Sequence, residues 1–213
     1  MKTNSRIIAF AVALVSAAST LSAQSFSFGL RGSGSVPTGA FSDQGLSAGS
    51  NADIEGAKNG FGYGLDVGLA LKMFGIYAGF DRIKFDCETT TCRSDGKYTL
   101  SGVTAGVKLA PGSTTSMLRP FVKAGLTFNK LKGGYGGQSS NVLTTDTAPG
   151  YEVGVGADVT LLGLLSFSPQ ARYVGQNLKA KVPGVAVTGT TTGQAVNYFT
   201  VDLGLSVHTP FTR

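Results

Sequence analysis

The 213 residues are 42% apolar and only 14% charged, too hydrophobic for a disordered chain and enough for one domain. Glycine is abundant, at 31 residues, but follows no three-residue period, which excludes a collagen-like chain. The formal charge of +6 is spread without a Lys/Arg cluster, so nucleic acid is not an expected partner.

The chain opens with Lys2 and Arg6, an unbroken apolar run from Ile7 to Val15, and small residues through Ala23. This is the build of a secretory signal peptide, residues 1–23, with cleavage expected after Ala23 or, as second choice, Ala18. No Cys follows, so a lipoprotein anchor is not supported. A membrane-anchoring helix is the competing reading, but the run is short of the ~20 residues a bilayer requires. Loss of Lys2 and Arg6 with the leader lowers the formal charge from +6 to +4.

The rest, residues 24–213, carries a repeated period of two. The first segment sets Phe26, Phe28 and Leu30 against Ser27, Gly29 and Arg31. The second, Phe61 to Lys72, is the longest: Phe61, Tyr63, Leu65, Val67, Leu69 and Leu71 alternate with Gly62, Gly64, Asp66, Gly68, Ala70 and Lys72. Strand side chains point to opposite faces in turn, so each segment has one oily face and one small or polar face. The third, about Ile76 to Phe85, slips phase near Asp81 and Arg82, which suggests a bulge. Cys87 and Cys92 follow; in an exported chain they read as a small disulfide loop, with free thiols the alternative and no nearby His to complete a zinc site.

The alternation resumes from Gly102 to Leu109, Val122 to Asn129, Tyr151 to Thr160, Leu165 to Tyr173 and Phe199 to His208. That makes eight segments. Short links at Phe74-Gly75, Pro111 to Met117 and Leu162-Gly163 alternate with long ones at about 34–59, 86–96, 132–150 and 175–195. Short turns on one side and long loops on the other are the pattern of outer-membrane barrels. The expected fold is all-β: one eight-stranded antiparallel up-and-down transmembrane β-barrel. Pro120 and Pro169 fall near strand starts, where a missing donor is best tolerated.

The oily face carries no charge in the seven clean segments. The other carries Arg31, Asp66, Lys72, Lys108, Lys123, Glu152, Asp158, Arg172 and Asp202 among many glycines. An eight-stranded barrel is only wide enough for side chains to fill it, and glycines leave room for a few large ones. The oily face therefore meets lipid, flanked by an aromatic girdle of Phe26, Phe61, Tyr63, Phe128, Tyr151, Tyr173 and Phe199. The interior network is expected in Arg31, Asp66, Lys123, Glu152, Asp158, Arg172 and Asp202, because buried ions need partners. Register suggests Glu152 with Arg172, Lys123 with Asp158, and Arg31 with Asp202 where the barrel closes.

Val36-Pro37-Thr38-Gly39-Ala40-Phe41, Arg119-Pro120-Phe121-Val122-Lys123-Ala124-Gly125, Pro149-Gly150-Tyr151-Glu152-Val153-Gly154 and the last segment appear in this order over about 190 residues. In this the chain resembles the small OmpA/OmpX-type outer-membrane barrels, also labelled porin-family proteins. The resemblance implies residence in the bacterial outer membrane, contact with its lipid and lipopolysaccharide, and insertion by the barrel-assembly machinery. The assembly signal it implies is matched by Asp202, Gly204, Leu205, Val207 and Phe211, although Pro210 interrupts the end and Thr212 and Arg213 follow. The peptidoglycan-binding domain of longer relatives is not expected here, so cell-wall tethering is not carried over.

Chemistry is thin. Ser206 and His208 form a Ser-x-His pair on one face, as some lipid A hydrolases use, but inward at the periplasmic rim rather than at the outer leaflet, and without support for the nucleophile–base geometry such catalysis requires. Asn51, Asp53 and Glu55 have alternate oxygens but not a full calcium set. Gly133-Gly134-Tyr135-Gly136-Gly137 reads as a loop tip rather than a phosphate loop. No catalytic, cofactor or metal site is expected. The expected role is structural or interactive, through four long outer loops that meet a surface ligand; a narrow channel is the alternative, and a lipid-modifying enzyme a more distant one.

Overall fold

A computed structural model describes residues 25–42, 56–71, 73–87, 96–111, 116–134, 143–181 and 194–210. The strands are β1 (Ser25–Thr38), β2 (Ala57–Leu71), β3 (Phe74–Cys87), β4 (Lys97–Leu109), β5 (Leu118–Gly134), β6 (Leu143–Thr145), β7 (Ala148–Leu162), β8 (Leu165–Leu178), β9 (Ala180–Lys181) and β10 (Gln194–Pro210). β6 and β9 are short additions beyond the rim. The other eight make a closed antiparallel barrel: each pairs with its neighbour in sequence, and β10 returns to β1 with Ser25 opposite Pro210 and Thr38 opposite Asn197. Closure pairs the backbone laterally, which hydrocarbon requires. No described helix is long and apolar enough to cross a membrane; the strands do the crossing.

The short links, Leu71 to Phe74, Leu109 to Leu118 and Leu162 to Leu165, gather at the end where β1 begins and β10 stops. In bacterial barrels this end faces the periplasm. Gly163 turns the last of them with φ +53°, a left-handed conformation that suits glycine. Backbone bonds from Ala110 to Met73, Thr160 to Met117 and His208 to Leu164, at 2.7–2.8 Å, tie neighbouring turns together.

The lipid-facing side is as the alternation requires. Leu30, Val67, Val107, Leu126, Val155 and Leu203 all point outward and are exposed. An ordinary soluble domain would bury them, since each loses about 1.5–3 kcal/mol by staying in water. Here hydrocarbon covers them.

Two expectations need correction. The strands run further than the alternation suggested: β1 continues to Thr38, where the first long link was expected from Gly34. β3 also carries no bulge at Asp81–Arg82. Its pairing with β2 and β4 is continuous through both residues, and exposure alternates without a slip from Phe74 to Asp86. The chemistry of the faces changes instead. Below this point the outward residues are Phe74, Ile76, Ala78 and Phe80; above it they are Arg82, Lys84 and Asp86. The inward residues change in the opposite sense, from Gly79 and Asp81 to Ile83 and Phe85. The strand leaves the membrane here, and a barrel wall in water needs a wet outside and a dry core.

The expected signal segment 1–23, Cys92, Phe211 and Asn51, Asp53 and Glu55 lie outside the described residues.

Candidate functional site

The barrel interior is stacked in three layers. The middle one is ionic and centres on Arg172, which is 1% exposed. Its guanidinium donates to both oxygens of Asp202 (2.6 and 2.9 Å), to Glu152 (2.9 Å) and to Asp81 (3.3 Å). Three carboxylates from three strands thus converge on one planar cation, using the fork that distinguishes Arg from Lys. Arg31 pairs with Asp66 and, at 2.7 Å, with Asp81, so Asp81 bridges the two arginines. Lys123 lies 3.4 Å from Glu152, and Tyr77 donates to the same carboxylate at 2.6 Å. Low dielectric strengthens every one of these contacts and makes each one expensive to lose.

Glycine makes the space. A Cβ at Gly64 would lie 2.7 Å from the Arg31 Nε and 2.8 Å from Asp81, and one at Gly125 would lie 2.7 Å from the Tyr77 hydroxyl. Inward glycines such as Gly64, Gly79 and Gly125 make room for large polar groups, while Gly60 and Gly62 make it for Phe85 and Ile83.

Of the three predicted pairs, the structure brings Glu152 and Arg172 together. Lys123 does not meet Asp158. Lys108 stands directly across the β4–β5 ladder from Lys123, and the two cations diverge: Lys123 turns to Glu152, Lys108 to Asp158 at 2.7 Å. Arg31 and Asp202 are on neighbouring strands at the closure, opposite Gly204 and Ser33 respectively, but they make no direct bond. Each turns away, Arg31 toward Asp66 and Asp81, Asp202 toward Arg172. Asp81, a member of the network absent from the predicted set, was hidden by reading β3 as out of phase.

Above the ionic layer lies an apolar plug. Phe41, Ile83, Phe85, Leu131, Leu178 and Val196 are fully buried, with Tyr98, Leu100 and Tyr198 nearly so. Phe41 reaches in from the 3-10 turn Gly39–Phe41 that follows β1. Its ring meets Phe85 edge-on at 5.1 Å and Tyr98 at 6.0 Å, and Phe85 meets Tyr198 at 5.5 Å. Between plug and network, Asn129 donates to Gln176 at 2.8 Å.

Below the ionic layer, a cavity of about 320 Å³ is bounded by Ser27, Tyr77, Lys108, Asp158, Ser168 and His208 at the short-link end. The Lys108 ammonium sits 3.8 Å over the Phe121 ring, and Ser168 donates to Asp158 at 2.9 Å. The Ser206 hydroxyl and His208 Nε2 are 3.1 Å apart in this lower layer. Among the described residues no acidic side chain bonds His208, and no group of three or more His, Cys, Asp or Glu side chains could hold a metal.

The terminal strand places Asp202 in the network and turns Leu205 and Val207 outward to lipid. Cys87 ends β3 half-buried against the plug.

The family description "outer membrane protein beta-barrel domain" matches residues 8–208. The chain belongs to this family. The solved structures it resembles include Neisserial surface protein A, with 18% identity and a TM-score of 0.59 over 85% of this chain and 96% of that one. OprG of Pseudomonas aeruginosa gives 13% and 0.57 over 89% and 97%. A major outer membrane protein of Thermus thermophilus gives 14% and 0.52 over 86% and 99%. At these identities the likeness is one of fold. No curated protein sequence matches the chain. Family and fold together place the protein in the bacterial outer membrane.

Proposed function

We propose that the protein is a sealed, non-enzymatic barrel that works at the cell surface through its four long outer connections. The observation that carries this reading is the filled lumen: a buried aromatic and aliphatic plug stacked directly on a buried ion network. Water-filled pores need many more strands, 16–18 in porins. The barrel then serves as a rigid mount, and variation in the loops sets which surface ligand is met.

The accessory parts belong to the same proposal. Residues 1–23 direct export and are removed. The barrel-assembly machinery reads Asp202, Gly204, Val207 and Phe211. A Cys87–Cys92 bond staples the connection between β3 and β4, supported by the anchorage of Cys87 against the plug.

Planar-bilayer recording of refolded protein is the test. A sealed barrel gives no stable conductance steps. Steps that change on Glu152→Gln or Phe85→Ala would establish the narrow channel instead. For the enzymatic alternative, mass spectra of lipid A from cells with and without the protein should coincide; a mass shift abolished by His208→Ala would refute the non-enzymatic reading.

A further inference from the structure

The lower layer of the lumen is the one that side chains leave open. One side of its wall carries small hydroxyl residues. A row of inward positions runs Gly29, Ser206, Ser166 and Thr160 across β1, β10, β8 and β7, and Ser27 faces His208 one row nearer the mouth. Strands lie ~4.8 Å apart, so Ser206 and Ser166 are immediate neighbours. In the ionic layer, inward glycines seat an arginine and a tyrosine. Here a Cβ at Gly29 or Gly204 would meet nothing nearer than 3.3 Å, and the room they leave belongs to the cavity of about 320 Å³. That volume is in the range of small-molecule sites. The ionic layer closes the cavity above. Below, it reaches the turn residues Met73, Ala110 and Gly163 at the short-link end, toward the periplasm.

The cavity has donors to spare and no carboxylate to spare. Both oxygens of Asp158 are engaged, by Lys108 at 2.7 and 3.0 Å and by Ser168 at 2.9 Å. Asp66, at the ceiling, is paired with Arg31. Lys108 carries three N–H donors and directs two of them at Asp158. Ser206 and a neutral His208 share one bond of 3.1 Å, and whichever of them donates in it, one donor of the pair is left over. Among the described residues Ser27 and Ser166 have no side-chain hydrogen-bond partner. Arg119 also borders the cavity, its guanidinium donating to the Ala110 carbonyl at 2.9 Å.

We infer that this cup binds a small soluble oxyanion from the periplasm, a carboxylate or a phosphate. An ionised carboxylate or phosphate offers acceptors, the complement of what the wall has left over. Lys108 supplies the charge-assisted bond, the strong member of the set. The hydroxyls of Ser27 and Ser166 and the spare donor of the Ser206–His208 pair supply the neutral ones. The donors face the lumen, whereas the outer faces of the same strands are apolar and meet acyl chains, so the ligand is a solute rather than a membrane lipid. The ionic ceiling stops it, so the cup holds the solute without passing it across the membrane. The inference goes beyond the surface role of the outer connections and does not depend on it.

His208 is the chain's one histidine, so isotope-labelled histidine reports on the cup alone by nuclear magnetic resonance. The full mature chain, without a tag, is refolded into dodecyl maltoside, a detergent with neither phosphate nor carboxylate. Inorganic phosphate, acetate or succinate then replaces chloride at constant pH and ionic strength. The expected result is a saturable shift of the His208 imidazole signals. A response to acetate or succinate alone assigns the ligand as a carboxylate, and a response to phosphate alone assigns it as a phosphate. K108Q/D158N removes the cation without stranding its partner and should weaken binding by about tenfold or more. S27A/S166A leaves both the ion pair and the reporter in place and should weaken it by about fivefold or more. K179Q, at the opposite end of the barrel, should bind as the wild type does. If K108Q/D158N does not give the folded gel mobility, S27A/S166A decides. A shift that rises without a plateau for all three anions, or unchanged affinity in the folded variants, overturns the inference. A saturable shift seen only on adding short-chain phosphatidylglycerol would also overturn it, by making the cup a lipid site.

Discussion

Replacing Arg172 by alanine removes the centre of the interior network. Five side-chain bonds are lost at once, two to Asp202, one to Glu152 and two to Asp81. Asp81 keeps Arg31, and Glu152 keeps Lys123 and Tyr77. Asp202, fully buried, loses its bonded cation and keeps hydroxyl help such as Thr200 at 3.2 Å. Breaking a buried pair by removing one partner costs about 3–5 kcal/mol, because a charge is left unmatched. The expected loss of unfolding free energy is therefore about 3–5 kcal/mol. Arg172→Lys should fall between, since a point charge cannot reach three carboxylates together. The double variant Arg172→Met, Asp202→Asn should recover part of the loss by removing the stranded charge. The protein has no tryptophan, so urea unfolding in lipid vesicles is followed by far-ultraviolet circular dichroism and by the shift between folded and unfolded gel bands. A loss below about 1 kcal/mol for Arg172→Ala would refute the reasoning, because it would put the site in surface-like dielectric.

Val155 faces lipid midway along β7 and is 57% exposed; Val155→Arg should cost about 2–4 kcal/mol in the same assay, whereas Lys84→Gln, above the lipid belt, should change stability by less than about 0.5 kcal/mol. Phe85 is fully buried and touches both Phe41 and Tyr198, so Phe85→Ala should cost about 3–5 kcal/mol through the cavity it opens.

Most of the fold could be read from the sequence because a period of two with an uncharged oily face has few solutions. Strands such as Phe61–Leu71 state both their conformation and their solvent. The parts that were missed share a cause. Lipid and water impose opposite polarity on the two faces, so a strand that crosses from one to the other inverts its pattern without any change of backbone. Ile83 and Phe85 looked like a phase slip for that reason, and Asp81 dropped out of the interior set with them. Phe41 gave no periodic signal because it enters the plug from a turn. Pairings were less legible than membership. Cross-strand register located Glu152 with Arg172, but the side-chain reach that sends Lys123 to Glu152 and Lys108 to Asp158 depends on which neighbour is glycine and which is a like charge. Ser206 and His208 face inward at the short-link end, as the alternation required, and share their cavity with Asp158.

A nitroxide scan along β3 tests the account most directly. Single cysteines at positions 76, 78, 80, 82, 83, 84 and 85 are labelled in a background lacking Cys87 and Cys92, and collisions with oxygen and with a water-soluble nickel complex are measured in lipid vesicles. The account predicts oxygen-dominated collisions at 76, 78 and 80, nickel-dominated collisions at 82 and 84, and protection from both at 83 and 85. Lipid-like accessibility at 83 and 85 with protection at 82 and 84 would contradict it, since the wall would then turn over at Asp81 and neither the lumen nor the lipid face would be where the structure has them.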